Sequence, residues 1–160
     1  MPKTGFYTAA NFTAERCLGY LISQTHALLR PQVEALFGHD GFTFSHWRVL
    51  RCLRDGVANN CADISRELSH DKGSMTRLVD QLEERGLLKR HRDGDDRRIV
   101  FLTLTREGRE AVDSLVPDVV AYYNALLANF SERDIETFIT LLTRLRQDLQ
   151  RRESREASEP

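Results

Sequence analysis

The sequence predicts a mainly α-helical fold centred on a winged helix-turn-helix, and three observations predict it. Met75, Leu78, Val79 and Leu82 fall at i, i+3, i+4 and i+7, one apolar stripe on a helix. After Gly86 the period changes: Ile99, Phe101 and Thr103 alternate with Val100, Leu102 and Leu104, a strand-like run whose partner is Leu87 to Arg92 across an Asp93-Gly94-Asp95-Asp96 turn. Before the striped helix stand a short helical segment, ADISREL, and a three-residue turn, SHD. A helix, a tight turn, a second helix and a charged hairpin make a motif whose second helix lies in the DNA major groove. The hairpin is then in reach of phosphates or the neighbouring minor groove. The face opposite the stripe carries Gly73, Thr76, Arg77, Asp80, Gln81 and Glu84, and Gly86 supplies the stop, since glycine takes the left-handed conformation cheaply just past a helix end.

In chain order, residues 1 to 12 read as an arm whose Phe6, Tyr7 and Phe12 are too apolar for a free tail. A helix is expected from about Thr13 to Phe37, with Leu18, Leu21, Ile22, Thr25, Leu29 and Val33 near one stripe and a kink or break at Pro31. Gly38 to Gly41 is a loop. Thr43 caps the next helix, Phe44 to about Asp55, with Phe42 and Trp47 spaced as a hydrophobic staple. Asn60 caps the helix around Ala62 to Leu68. Thr105 caps a helix to about Phe130, with Pro117 a second kink candidate. Ser131 and Asp134 cap the last helix, where Ile135, Phe138, Ile139, Leu142, Leu145 and Leu149 repeat at helical spacing and Leu141 joins them. RRESREASEP is polar and expected to fray.

The 160 residues suffice for one compact domain, and 41% hydrophobic with 29% charged content is that of a soluble globular protein. Net charge is −1, so any attraction for nucleic acid must be local. Arg85, Lys89, Arg90, Arg92, Arg97 and Arg98 stand against Asp93, Asp95 and Asp96, a net of +3 over one hairpin. Cys17, Cys52 and Cys61 are few, odd in number and far apart, which points to a reducing compartment. No signal peptide and no membrane-length apolar run is evident, so a cytoplasmic protein is expected.

The stretch DKGSMTRLVDQLEERGLLKRHRDGDDRRIVFLTLTREG resembles regulators of the MarR family (multiple antibiotic resistance regulator). The matching parts are the recognition-helix segment, the D-x-R wing at Asp96 to Arg98 and the L-T-x-x-G closure at Leu104 to Gly108. FTFSHWRVL, from Phe42 to Leu50, is similar to the segment that opens the helix before the reading head, and by element order the resemblance covers roughly residues 13 to 150. It implies one domain over 1–160, with a winged-helix part at about 42–108 and a helical dimerisation part at about 10–37 and 109–152. A homodimer is also expected because the last helix carries more apolar residues than a small domain covers, and because a single head reads only a short half-site.

At the start of the recognition helix, unpaired N–H groups and the helix dipole favour a phosphate. Gly73, which costs a helix ~1 kcal/mol relative to alanine, permits close backbone approach to DNA; its ordinary alternative is tolerance near a helix end. Arg77 is placed to bond guanine or hold a phosphate, or else to pair with Asp80 or Glu84. Ser74 and Thr76 reach phosphate or bases, Lys72 reaches the backbone, and Gln81 is expected to miss the groove floor. By resemblance, Arg98 enters the minor groove and Asp96 orients it, while Arg97 and Arg92 touch phosphates.

An enzyme is not expected: there is no phosphate-binding glycine loop, no nucleophile elbow and no H-x-x-x-H spacing, and no cofactor or metal is implied. The resemblance implies a repressor of a pseudo-palindromic operator, released by a small aromatic or phenolic anion. Arg16, His26, Arg30, His46 and Trp47 are the candidate ligand residues on the two helices bordering the cleft. His46 departs from the glutamine often found before the aromatic. Two alternatives stand beside this: a cysteine-based redox sensor of the same fold using Cys17, and a helical interaction module without DNA binding.

Overall fold

A computed structural model describes residues 5–38, 41–92 and 99–156. The elements are a 3-10 turn at Ala14–Arg16, then α1 (Leu18–Glu34), α2 (Phe44–Arg54), α3 (Cys61–Leu68), α4 (Lys72–Glu84), β1 (Leu88–Arg92), β2 (Val100–Leu104), α5 (Arg106–Leu126) and α6 (Glu132–Glu156). The chain divides into two compact units, residues 1–119 and 120–160.

The first unit holds the winged head. Val49 and Leu50 from α2, Ile64 from α3, Met75, Val79 and Leu82 from α4, Leu88 from β1, Leu102 from β2 and Val112 from α5 are fully buried together. The stripe read from α4 is therefore the face that meets this core, with Leu78 at its half-buried edge. β1 and β2 pair antiparallel from Leu88 opposite Leu104 to Arg92 opposite Val100. The loop before α3 adds a partial third strand, with Asn60 bridged to Phe101 and the Leu102 N–H donating to the Asn59 carbonyl. The expected turn at Asp93 to Asp96 lies outside the described residues.

Capping explains the element ends. Thr43 caps α2 by accepting from the His46 N–H, and Asn60 caps α3 by accepting from the Asp63 N–H. Gly86, at φ +70°, ends α4. There the Leu87 N–H donates to the Leu82 carbonyl and the Gly86 N–H to the Glu83 carbonyl, the two bonds that close a left-handed helix end. The Thr105 hydroxyl donates to the Gly86 carbonyl and accepts from the Gly108 N–H, joining this end to the start of α5. A Cβ on Gly108 would lie 1.8 Å from the Leu87 carbonyl oxygen, so only glycine admits the approach.

Several boundaries differ from the sequence expectation. The first helix starts at Leu18, because Cys17 is extended and separates the 3-10 turn from α1. α1 runs through Pro31 without a break and ends about one turn later at Glu34, although the proline cannot donate to the Ala27 carbonyl. Pro117 is likewise inside one continuous α5, which ends at Leu126 rather than Phe130. The Phe42–Trp47 staple is replaced by other ring contacts: Phe42 lies against His46, and Trp47 packs against Phe37 and Phe44. α6 continues to Glu156 instead of fraying at residue 151, carried by strong helix formers and an Arg151–Asp148 pair of 2.6 Å.

In the arm, Tyr7 makes edge contacts with Phe6 and Phe12, and its hydroxyl donates to the Arg16 carbonyl and accepts from the Leu18 N–H. In the second unit Ser131 caps α6, and Phe138, Ile139, Leu141, Leu142 and Leu149 are exposed. None of the described residues of α6 is buried.

Candidate nucleic-acid interface

The recognition surface is the outward face of α4. Asp71 caps it: its carboxylate accepts the Ser74 N–H at 2.9 Å and the Ser74 hydroxyl at 2.6 Å. These bonds hold the carboxyl below the usual carboxylate range, the hydroxyl bond contributing most. Ser74 and Thr76 are exposed, but both hydroxyl protons are engaged, the second with the Lys72 carbonyl at 2.8 Å. In this state their oxygens offer acceptors, which suits base amino groups better than phosphate. Lys72, Gly73 and Arg77 are exposed. Among the described residues Arg77 has no ion pair; of its two expected partners, Asp80 and Glu84, the first is taken by Arg90 at 2.6 Å.

Arg90 belongs to the fold rather than to the basic patch. Its guanidinium bridges Asp80 and Glu83, and its N–H donates to Glu83 at 3.1 Å. Burial opposes its charge, and these bonds outweigh the burial. Two carboxylates on α4 thus neutralise one cation of the expected hairpin cluster. Arg92 and Lys89 stay exposed on β1. Asp96, Arg97 and Arg98 lie outside the described residues.

Gln81 is exposed but committed inward. Its side-chain oxygen is 2.8 Å from His46 Nε2, while His46 Nδ1 accepts from the Thr43 N–H at 3.0 Å. Because Nδ1 accepts, the proton is on Nε2 and Nε2–H donates to Gln81. Sequence reasoning missed this link; the T-x-x-H spacing, with histidine at the third helical position, was its only signal.

The five expected ligand residues do not form one lining. His46 and Trp47 are buried in the head, where Trp47 Nε1–H donates to the Val112 carbonyl at 3.3 Å. Arg16, His26 and Arg30 are exposed; Arg16 lies over the Phe6 ring and Arg30 pairs with Glu34 at 2.8 Å. A separate cavity of about 290 Å³ has walls of Leu36, Phe37, Phe42, Leu87 and Leu115, with Arg85 at its edge over the Phe42 ring. Burial pushes the Cys52 and Cys61 thiols up, which disfavours thiolate at both. Cys17 is half-buried at the N-cap of α1. No helix of the described residues is long and apolar enough to cross a membrane.

The MarR family profile matches residues 42–100, the head from the start of α2 to the wing. The HTH-type transcriptional regulator MhqR of Bacillus subtilis is 33% identical over 78% of this chain and 86% of its own length. The transcriptional activatory protein BadR of Rhodopseudomonas palustris is 31% identical over 75% of this chain and 71% of its own. Among solved structures, Bordetella bronchiseptica BpsR, described for regulation of its DNA binding by 6-hydroxynicotinic acid, superposes with a TM-score of 0.68. It is 23% identical and covers 80% of this chain and 97% of BpsR, which is a likeness of fold.

Proposed function

The chain belongs to the MarR family of DNA-binding transcriptional regulators, which are not enzymes, and we propose that it is a dimeric repressor released by a small aromatic or phenolic anion. The reading places it in the cytoplasm, on a pseudo-palindromic operator with half-sites about one helical turn apart (~10 bp). The observation that carries the reading is the outward face of α4, where Lys72, Gly73 and Arg77 stand exposed opposite the buried Met75, Val79 and Leu82. Lys72 supplies phosphate affinity and Arg77 a base or phosphate contact; Ser74 and Thr76 add acceptors. The wing residues Arg92, Asp96, Arg97 and Arg98 complete the interface in this proposal.

Dimerisation is supported by the exposed Phe138, Ile139, Leu141 and Leu149 of α6 and by Leu18, Leu21 and Ile22 of α1, apolar side chains that a monomer leaves in water. The effector reading is supported by the cavity beside Arg85, whose aromatic and aliphatic walls, with that cation among the described residues at its edge, match an aromatic acid. Arg16, His26 and Arg30 remain candidates only where the partner subunit completes a lining.

The test is footprinting on the chain's own upstream region, followed by effector titration. Protection of two half-sites on one face of the duplex supports the dimer; a lone half-site removes it. An aromatic acid should weaken operator binding, and the operator should weaken that acid by the same factor, typically ~5–150-fold. Equal acid affinity with and without operator removes the release model. Reporter output with the gene deleted decides direction, which matters because BadR is named as an activator.

A further inference from the structure

At the base of the wing a cavity of about 570 Å³ opens between the end of α2, the loop to α3, the strand β2 and the first turn of α5. Among the described residues it shares none with the cavity beside Arg85, and none of its lining comes from α4. Leu53, Val57, Leu102 and Leu104 form apolar walls. Val57 is 54% exposed, yet the loop that carries it is fixed: the Gly56 N–H donates to the Leu53 carbonyl at 3.4 Å and the Val57 N–H to the Cys52 carbonyl at 3.0 Å. The walls are therefore preformed, as in most small-molecule sites.

One side of the cavity is a sheet edge. The Thr105 N–H donates to the Leu87 carbonyl, so in this register Phe101 and Thr103 exchange bonds with β1, while Leu102 and Leu104 turn their backbone groups the other way. There the Leu102 N–H donates to the Asn59 carbonyl at 2.7 Å, and the partial third strand stops. The Leu102 carbonyl and the Leu104 N–H are left without a partner among the described residues, on the side where the cavity lies. Two charged residues also line it. Asp63 is already held, by Arg66 at 2.9 Å and by Asn60 Nδ2–H at 2.7 Å. Arg109 is exposed on α5, and its guanidinium has no ion pair, hydrogen bond or ring contact among the described residues. The uncommitted charge at this cavity is therefore positive.

We propose that this cavity binds a small N-acylated amino acid with an apolar side chain. Such a molecule repeats one residue of a strand added to the free edge of β2. Its amide N–H donates to the Leu102 carbonyl, and its carboxylate accepts from the Leu104 N–H, the two bonds one residue makes in a parallel pair. Arg109 supplies the charge that the carboxylate needs. The side chain and the acyl group lie against Leu53 and Val57, which removes apolar surface from water. A free amino acid fits less well, because its ammonium meets only Asp63, which is already paired. A plain aromatic acid leaves the Leu102 carbonyl unbonded. The inference does not rest on the effector reading, since it concerns a different place in the head.

The experiment is a titration of the full chain with N-acetyl-L-leucine, followed through its backbone amide NMR signals. Saturable movement is expected at Val57, Asn59 and Leu104, with Leu87 and Ser114 beside Arg85 unmoved. Arg109→Gln changes an exposed side chain and should keep the fold, but it should weaken binding ~10-fold or more by removing the charged partner of the carboxylate. N-acetyl-L-leucinamide, which has no carboxylate, should bind wild type as weakly as the variant binds the acid, and should not distinguish the two proteins. L-Leucine, which has no acyl group, should bind at least ~10-fold more weakly than the acylated form. No saturable movement at Leu104 up to ~10 mM overturns the proposal. So does movement centred on Leu87 and Ser114, which assigns the probe to the other cavity. Wild-type affinity in Arg109→Gln removes the carboxylate assignment, and equal affinity for L-leucine removes the acyl assignment; either result overturns the proposed ligand class.

Discussion

His46 Nε2–H donates to the Gln81 side-chain oxygen across 2.8 Å, tying the first turn of α2 to the last turn of the recognition helix. The same ring accepts the Thr43 N–H through Nδ1, so one buried residue both returns the bond of the Thr43 cap and ties α2 to α4. His46→Ala loses two ring hydrogen bonds of ~0.5–1.5 kcal/mol each, and should destabilise the chain by about 1–3 kcal/mol in urea unfolding. His46→Gln can accept from Thr43 and donate to Gln81 through one amide, and should recover most of that loss. If the glutamine variant is no more stable than the alanine variant, the ring is held by packing and not by these bonds.

Arg90 and Arg77 should separate fold from recognition. Arg90 is pinned between Asp80 and Glu83, whereas Arg77 has no ion pair among the described residues. Arg90→Met should lower the melting temperature and leave the salt dependence of DNA binding unchanged. Arg77→Ala should leave melting unchanged and cost ~1–3 kcal/mol on the cognate operator, with relaxed preference at one position if it reads a base. A salt slope reduced by about one unit in Arg90→Met would return Arg90 to the interface.

Much of the fold was legible because its signals are local. The Met75-to-Leu82 stripe, the caps at Thr43, Asn60, Thr105 and Ser131, and the Gly86 stop each depend on a few neighbouring residues, and all are found as expected. What was not legible depends on partners distant in sequence. Arg90 counts as free charge until the fold brings Asp80 and Glu83 to it, and His46 looks like a ligand residue until Gln81, 35 residues away, takes its ring nitrogen. The start of α1 was misplaced because the extended Cys17 is supported by Tyr7, whose hydroxyl reaches both Arg16 and Leu18 from the arm. Helix propensity around residues 13–17 carries no trace of that contact.

Asp71 makes the recognition helix acid-sensitive. Hydrogen bonds from Ser74 depress its folded pKa, so its contribution is complete above the ordinary carboxylate value of 3.8 and is lost as pH falls through the lower folded value. Asp71→Asn can still cap but cannot titrate, and should flatten this part of the acid limb of a stability–pH curve. An acid limb unchanged in the asparagine variant would place the sensitivity in other carboxylates.

The wing variants address residues outside the described structure. Arg98→Ala should weaken binding to every duplex, most where the flank is A·T-rich, because a narrow minor groove has the stronger negative potential. Its salt slope should shrink by about one unit. Asp96→Ala should resemble a milder Arg98 change, since it frees the arginine without deleting its charge. Wild-type binding of Arg98→Ala to cognate and scrambled duplexes would remove the wing assignment.

Gly73 tests how closely the recognition helix approaches DNA. It is exposed in the first turn of α4, and a Cβ there would lie 3.3 Å from the Asp71 carboxylate oxygen, a contact that needs only a small side-chain shift. Alanine gains helix propensity of up to ~1 kcal/mol against glycine, so Gly73→Ala should unfold within about 1 kcal/mol of wild type. The protein alone thus gives little reason for glycine at this position. If the backbone lies against the duplex, the added methyl has no room there, and operator affinity should fall at least ~10-fold with stability unchanged. Measuring both quantities on one preparation separates the cases. Gly108→Ala is the control in the other direction: its Cβ would meet the Leu87 carbonyl oxygen at 1.8 Å, so it should lose the fold itself. Wild-type affinity in Gly73→Ala would mean that the glycine is tolerated at a helix end rather than required by the groove, and contact there would fall to Lys72 and Arg77.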